Sequence, residues 1–156
     1  ELRAAGKLNA PFKVETFADA LTFCDRPDPA TEVEAKFSLQ HAVAVVADGR
    51  DAEPEDFSEE AIAALAPLRA QVEVSEDPEI TARYPAHFGA RVNGFELVDT
   101  LGDPERPVDE ERIVAKMHSL ARYSGLGRAQ ADHATRLALE GDDAQAIDAM
   151  LEEWIR

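Results

Sequence analysis

The stretch from Glu32 to Val45 constrains the fold more than any other part of the chain. It places a cation, a hydroxyl, an amide and an imidazole within residues 36–41, and a nearly pure apolar run follows over residues 42–47. A solvated helix does not need the apolar run, and a plain core helix does not need so dense a polar head. We therefore predict one helix from about residue 31 or 32 to Ala47, with its apolar end buried and its N-terminal end facing something polar.

Short strands surround this helix in the sequence. Residues 12–17 alternate apolar and polar side chains, as a half-buried strand does, and Val72 to Val74 form a second short apolar segment. Asn93-Gly94 lies inside residues 91–98 and favours a tight hairpin, because both central residues of a type I′ turn need positive φ. Few, short strands argue against a doubly wound parallel sheet. They favour an α+β fold with a small, mostly antiparallel sheet.

Only helices are predicted after the hairpin. Asp109 is a good N-cap for the first, Gly141 ends a second that begins near Arg128, and the last opens at Asp142 or Asp143. We predict three regions: residues 1–9 as the remnant of an upstream helical segment, 10–125 as an α+β domain, and 126–156 as a C-terminal helical segment. The last helix carries an apolar stripe that either packs on a core or docks on a separate helical domain: Ile147, Met150, Leu151, Trp154 and Ile155.

Charge and composition exclude several classes of function. The chain has 32 acidic and 16 basic residues and a net charge of -16, which opposes binding to phosphate backbones and to anionic membranes. A small anion can still bind where cations converge locally. No apolar run is long enough to span a bilayer, and the single cysteine, Cys24, fits a reducing compartment, so we expect a cytoplasmic protein.

No motif for a metal or a cofactor is present. The four histidines lack the i, i+4 spacing of a helical zinc site, and there is no Cys-x-x-Cys. Gly125-Leu126-Gly127 lacks the preceding strand and the third glycine of a dinucleotide fingerprint, so it is interpreted as a turn between helices. We therefore predict neither a metal nor a cofactor.

The polar head of the predicted helix, formed by Lys36, Ser38, Gln40 and His41, has two interpretations. On one continuous helix Lys36 and Gln40 would share a face. The head is either a solvated helix start with a satisfied His41, or a surface that binds a carboxylate. In the second case Lys36 supplies charge, while Ser38 and Gln40 supply directional hydrogen bonds. The residues alone leave both open.

Residues 26–41, followed by Asp48-Gly49, resemble the signature of the MmgE/PrpD family, which includes 2-methylcitrate dehydratase, cis-aconitate decarboxylase and iminodisuccinate epimerase. Tyr84-Pro85-Ala86 and the loop 102–107 agree with the family in order, and the likeness covers about residues 10 to 155. It implies a two-domain protein in which a large helical domain carries most acid–base residues. The present chain would be the smaller α+β lid with the C-terminal helices.

The resemblance implies a cofactor-independent lyase or isomerase that acts on a small di- or tricarboxylate, with 2-methylcitrate dehydratase as the nearest type. The site residues expected in this chain bind substrate: Lys36, Ser38 and Gln40. No catalytic residue is assigned, and the isolated chain is expected to be inactive. The expected partners are an upstream helical domain of the same protein and a second copy in a homodimer.

Two further expectations accompany the resemblance. Phe23 falls at the position of an active-site tyrosine in the decarboxylase branch, and phenylalanine cannot donate that tyrosine's hydrogen bond or proton. This argues against cis-aconitate decarboxylation. The alternative function is a non-catalytic interaction module that docks through the stripe around Trp154.

Overall fold

The computed structural model describes residues 1–141 and 144–155, which form two compact units. The first unit is Glu1–Pro107, and the second begins at Val108. The strands, all in the first unit, are β1 (Phe12–Thr16), β2 (Val72–Glu76), β3 (Ala90–Val92) and β4 (Phe95–Leu97). The helices of the first unit are α1 (Ala18–Cys24), α2 (Glu32–Lys36), α3 (Leu39–Ala47), α4 (Glu59–Ala64), α5 (Ala66–Arg69) and α6 (Pro78–Thr81). Those of the second unit are α7 (Glu110–Tyr123), α8 (Arg128–Glu140) and α9 (Ala144–Ile155).

The four strands form one mixed sheet in the order β2-β1-β3-β4. β1 is parallel to β2 and antiparallel to β3, and β3 and β4 form an antiparallel hairpin. The predicted α+β class, with a small, mostly antiparallel sheet and C-terminal helices, is confirmed. The parallel pair is an addition to that prediction, and its connection carries α1 to α5.

The hairpin turn has the predicted geometry. Asn93 and Gly94 have φ values of 49° and 82°, as the two central residues of a type I′ turn require. The Asn93 side chain also accepts a hydrogen bond from the backbone N–H of Lys13 at 2.9 Å, which ties the turn to the start of β1.

The two faces of the sheet differ in polarity. Phe12 and Val14 on β1 are buried with Val72, and Val43 and Ala47 of α3 pack against them. Arg91 lies on the opposite face, where its guanidinium bonds to Glu15, Asp77 and Glu96 at 2.6–3.2 Å. One face is therefore the core, and the other carries an ion-pair network.

The single helix predicted over residues 32–47 is wrong, because it is two helices. Ser38 has extended backbone dihedrals, φ −114° and ψ 110°, and its Oγ accepts a hydrogen bond from His41 N–H at 3.0 Å as the N-cap of α3. Thr31 and Glu34 form a capping box at the start of α2. Serine in an apparent helix interior can bond nearby backbone instead, and here that competition ends one helix and begins another.

Helix ends in the second unit follow their sequence signals. Asp109 accepts a hydrogen bond from Arg112 N–H at 2.8 Å and caps α7, as predicted. Gly141, at φ 72°, ends α8. The predicted start of the last helix at Asp142 or Asp143 falls outside the described residues. Within the described ranges, no helix is both long and apolar enough to cross a membrane.

Candidate functional site

Two side chains at the start of α3 hold the loop Asp25–Pro29, called the clamped loop below. Ser38 Oγ donates to the carbonyl of Arg26 at 2.6 Å. Gln40 Nε2 donates to Asp25 Oδ1 at 2.6 Å, and Gln40 Oε1 accepts from Arg26 N–H at 3.2 Å. Because Ser38 and Gln40 are only 2% and 3% exposed, their polar atoms serve the loop rather than solvent.

A buried arginine holds the same loop from a second direction. Arg69 is 7% exposed, and its Nε donates to the carbonyl of Pro27 at 2.9 Å. Its Nη1 donates to the carbonyl of Ile62 at 2.8 Å and lies 3.5 Å from His41 Nδ1. Ile62 lies in the last turn of α4, where carbonyl groups carry the negative end of the helix dipole and suit a cation. Arg69 thus connects the loop, α4 and α3.

His41 is fully buried between these groups and acts as a neutral structural residue. Its Nε2 donates to the carbonyl of Asp56 at 2.8 Å, which leaves Nδ1 as the acceptor facing Arg69. Burial lowers the pKa of His41 below its ordinary value, and the positive charges of Arg69 and Arg50 lower it further. His41 is therefore not part of a solvated helix start. It is a buried histidine whose two ring nitrogens both have partners, as one of the two interpretations expected.

Lys36 has a different setting from Ser38 and Gln40. Its side chain is half exposed and lies 4.0 Å from Glu32, a weak pair of the i, i+4 kind. The predicted shared face of Lys36 and Gln40 is wrong, because the break at Ser38 separates them onto two helices. The side chains of Ser38 and Gln40 both bond to the clamped loop, whereas the side chain of Lys36 faces solvent. That the three bind a substrate stays a prediction.

The most exposed large hydrophobic side chains of the described residues flank the clamped loop in the sequence. They are Val33 at 64%, Phe23 at 62% and Phe37 at 51% exposure. Phe23 lies at the end of α1, just before the loop, while Val33 and Phe37 are four residues apart at α2. We call these three the apolar rim. An apolar rim beside polar groups is typical of a surface that meets another molecule.

A histidine–carboxylate pair that was not predicted from the sequence lies at one edge of the sheet. His87 Nδ1 lies 2.6 Å from Asp99 Oδ1, and both side chains are partly exposed. Local spacing could not find this pair, because only the β3–β4 hairpin returns Asp99 to the edge where β3 begins. A carboxylate that orients an imidazole through one nitrogen leaves the other nitrogen for proton transfer, so this pair is chemically suited to acid–base work.

A groove of about 420 Å³ connects this edge with the start of α3. Its walls are mostly apolar and include Leu39 of α3, Phe88 and Asp99. Phe88 belongs to an aromatic cluster in which the rings of Phe17 and Tyr84 stack with centroids 4.6 Å apart. Asp99 of the His87–Asp99 pair and Leu39 of α3 therefore line the same groove.

The remaining candidates are placed as follows. His118 Nε2 lies 2.7 Å from Asp132 Oδ1 and joins α7 to α8 in the second unit. Trp154 on α9 is half-buried and Leu151 is exposed, whereas Cys24 is a partly buried free thiol. Over residues 1–141 and 144–155, no group of three or more His, Cys, Asp or Glu side chains is arranged to hold a metal ion.

The family model described as the MmgE/PrpD C-terminal domain matches residues 12–140. That range contains the clamped loop, the start of α3 and the His87–Asp99 pair. A search of curated proteins gives no match.

Proposed function

The chain belongs to the MmgE/PrpD family, and from this premise we propose that it is the C-terminal domain of a lyase or isomerase that acts on a small di- or tricarboxylate. The family match over residues 12–140 is the observation that carries the proposal, since the family is generally one of dehydratase- or lyase-like enzymes. The match does not favour the alternative of a non-catalytic docking module.

The proposed chemistry is removal of a proton next to a carboxylate, followed by elimination, decarboxylation or reprotonation. Such a step builds negative charge on the substrate, and a cation that touches the carboxylate lowers the cost of that charge. Lys36 is proposed to supply the positive charge, because it is half exposed and, among the described residues, its ion pair with Glu32 is weak. Ser38 and Gln40 are proposed to contribute by shaping the neighbouring loop.

The apolar rim supports a site that a second protein segment covers. Three large hydrophobic side chains beside a solvent-exposed cation would be desolvated when that segment packs on them, and removal of water strengthens a lysine–carboxylate contact. The proposal includes an upstream helical domain as this segment, a homodimer of the complete protein, a cytoplasmic location and no cofactor. The 2-methylcitrate dehydratase type is the proposed reaction, with decarboxylation the least favoured because of Phe23.

The test is turnover of 2-methylcitrate, cis-aconitate and iminodisuccinate, followed by proton NMR, with this chain and with a longer protein that contains it. We expect turnover of one acid by the longer protein and none by the chain alone. Failure of the longer protein with all three acids would refute the proposed function.

Lys36→Ala in the active protein then tests the site. We expect a higher KM or a lower kcat with an unchanged circular dichroism spectrum, because an exposed lysine contributes little to folding. Lys116→Ala is the matched control, since Lys116 is also exposed but lies on α7 in the other unit. Equal kinetics for both variants would remove Lys36 from the site.

A further inference from the structure

Two side chains at the start of α3 hold the backbone of Arg26 in the clamped loop, one at its N–H and one at its carbonyl. The Arg26 N–H bonds to Gln40 Oε1 at 3.2 Å, and the Arg26 carbonyl accepts from Ser38 Oγ at 2.6 Å. The next carbonyl, of Pro27, accepts from the buried Arg69 at 2.9 Å. Surface loops are generally mobile, whereas here two buried side chains hold the backbone of Arg26 and a third holds the neighbouring carbonyl of Pro27.

The side chain of Arg26 is not used by the fold. It is exposed, and its guanidinium makes no hydrogen bond or ion pair with the described residues. Two buried side chains thus fix the backbone of Arg26, while its guanidinium has no partner among the described residues. Holding the backbone in place reduces the entropy that Arg26 would lose when it binds a ligand.

The nearest acidic side chains are mostly engaged elsewhere. Asp25 accepts from Gln40 Nε2, and Glu34 accepts from the N–H groups of Ala30 and Thr31 at 2.7 and 3.2 Å. Asp28 is exposed on the same loop and is the local competitor for the guanidinium. Arg69 also holds this loop, and its partners among the described residues are carbonyls and an imidazole rather than carboxylates, so its charge adds to the positive potential there.

We propose that Arg26 binds a ligand carboxylate through its guanidinium, and that Ser38 and Gln40 are positioning residues that fix its backbone. A guanidinium offers a planar fork of N–H donors that matches a carboxylate with two parallel hydrogen bonds, which a lysine cannot supply. The inference rests on the proposed function for its substrate class. It assigns the directional recognition to Arg26, while Lys36 supplies charge nearby.

The test is a titration of the chain with citrate and with succinate at constant ionic strength, followed by NMR of the arginine Nε–Hε signals. We expect a saturable shift of the Arg26 signal, with a Kd on the order of 1 mM for a single exposed contact. Arg26→Gln should weaken binding at least about fivefold, and Arg26→Lys should weaken it less than Gln but fail to restore it. Arg128→Gln, an exposed arginine at the start of α8, is the control and should change nothing.

Ser38→Ala tests the positioning role in the same titration. The variant keeps the guanidinium but releases the Arg26 carbonyl, so we expect weaker citrate binding and a sharper, more mobile Arg26 Nε–Hε signal in a folded chain. Unchanged affinity in a folded Ser38→Ala variant would overturn the positioning role. A citrate shift that is equal at Arg26 and Arg128, or that chloride reproduces, would overturn the site as a general effect of charge.

Kinetics separate this inference from the proposed function. If the longer protein turns over its acid and Arg26→Gln leaves kcat/KM unchanged, the Arg26 site is wrong and the function stands. If no acid is turned over but citrate still binds at Arg26, the proposed function is wrong and the site stands.

Discussion

Replacing His41 by glutamine should make the first unit less sensitive to acid. The wild-type imidazole is fully buried, and its pKa is lowered below 6.5 by burial and then by the charges of Arg69 and Arg50. The native state therefore holds His41 neutral, while the unfolded chain takes up a proton as the pH falls through 6.5. The stabilisation is present in full above pH 6.5 and is lost as the pH falls from there toward the lowered folded pKa.

The size of this pH effect on the unfolding free energy follows from the uptake of one proton by the unfolded chain. At pH 5.5, one unit below the unfolded pKa, uptake by the unfolded chain removes up to about 1.4 kcal/mol of unfolding free energy from the wild type. At pH 7.5 the same term is close to zero. His41→Gln is destabilised at pH 7.5, by about 1–3 kcal/mol, through its altered hydrogen bonds to Asp56 and Arg69. Its deficit against the wild type should therefore shrink by about 1.4 kcal/mol at pH 5.5.

Urea unfolding at pH 7.5 and 5.5 measures the free energy of unfolding of the first unit, when it is followed by the methyl NMR signals of Val45 and Leu65. Both side chains are buried in the cluster beside His41 on α3. Hydrogen bonds from Arg91 and Arg83 respectively are the main cause that lowers the pKa values of Asp77 and Glu96. The stabilisation from these two carboxylates is lost mainly below about pH 5, so it leaves the window from pH 7.5 to 5.5 clear. A deficit that stays constant, or grows as the pH falls, would refute a buried neutral His41. His133→Gln, at an exposed histidine, should unfold with the wild-type pH dependence.

Two further substitutions test the backbone around the candidate site. Ser38→Ala should cost about 1–3 kcal/mol in urea unfolding, because it removes the N-cap of α3 and the donor to the Arg26 carbonyl; Ser58→Ala, which loses only a cap, should cost less. Equal costs would show that the bond to Arg26 contributes nothing. Gly89→Ala should cost about 1–3 kcal/mol, because its Cβ would lie 2.9 Å from two backbone oxygens of residues 97 and 98. Gly127→Ala, whose Cβ meets only a flexible Gln130 atom at 3.4 Å, should cost little by comparison.

Local signals in the sequence predicted those parts of the fold that depend on neighbouring residues. The Asn93-Gly94 turn needs only two residues that tolerate positive φ, and Asp109 needs only the N–H groups of the next turn. The partners of β1 could not be predicted in this way, because β2 lies about sixty residues further along the chain. Strand order is a property of the whole packed unit.

The local arrangement of the candidate site residues could not be predicted from the sequence. Ser38 and Gln40 bond to the clamped loop while Lys36 faces solvent, and the periodic pattern had assigned Ser38 to a helix interior. Its hydroxyl instead begins a new helix and bonds to a carbonyl twelve residues earlier. The His87–Asp99 pair and the buried Arg69 gave no local pattern, because each depends on segments that meet only in the folded unit.

The parallel pairing of β1 and β2 has a consequence for the order in which the protein is made. During synthesis β1 leaves the ribosome before either of its neighbouring strands. Phe12 pairs with Val72 of β2 and Val14 pairs with Val92 of β3, and both partners are made later. Until both arrive, β1 is an unpaired strand with one apolar face and two open edges, which invites pairing with other chains. The crossover that carries α1 to α5 is complete before β1 can close. We therefore expect this protein to aggregate when synthesis of residues 17–92 slows or when chaperones are scarce.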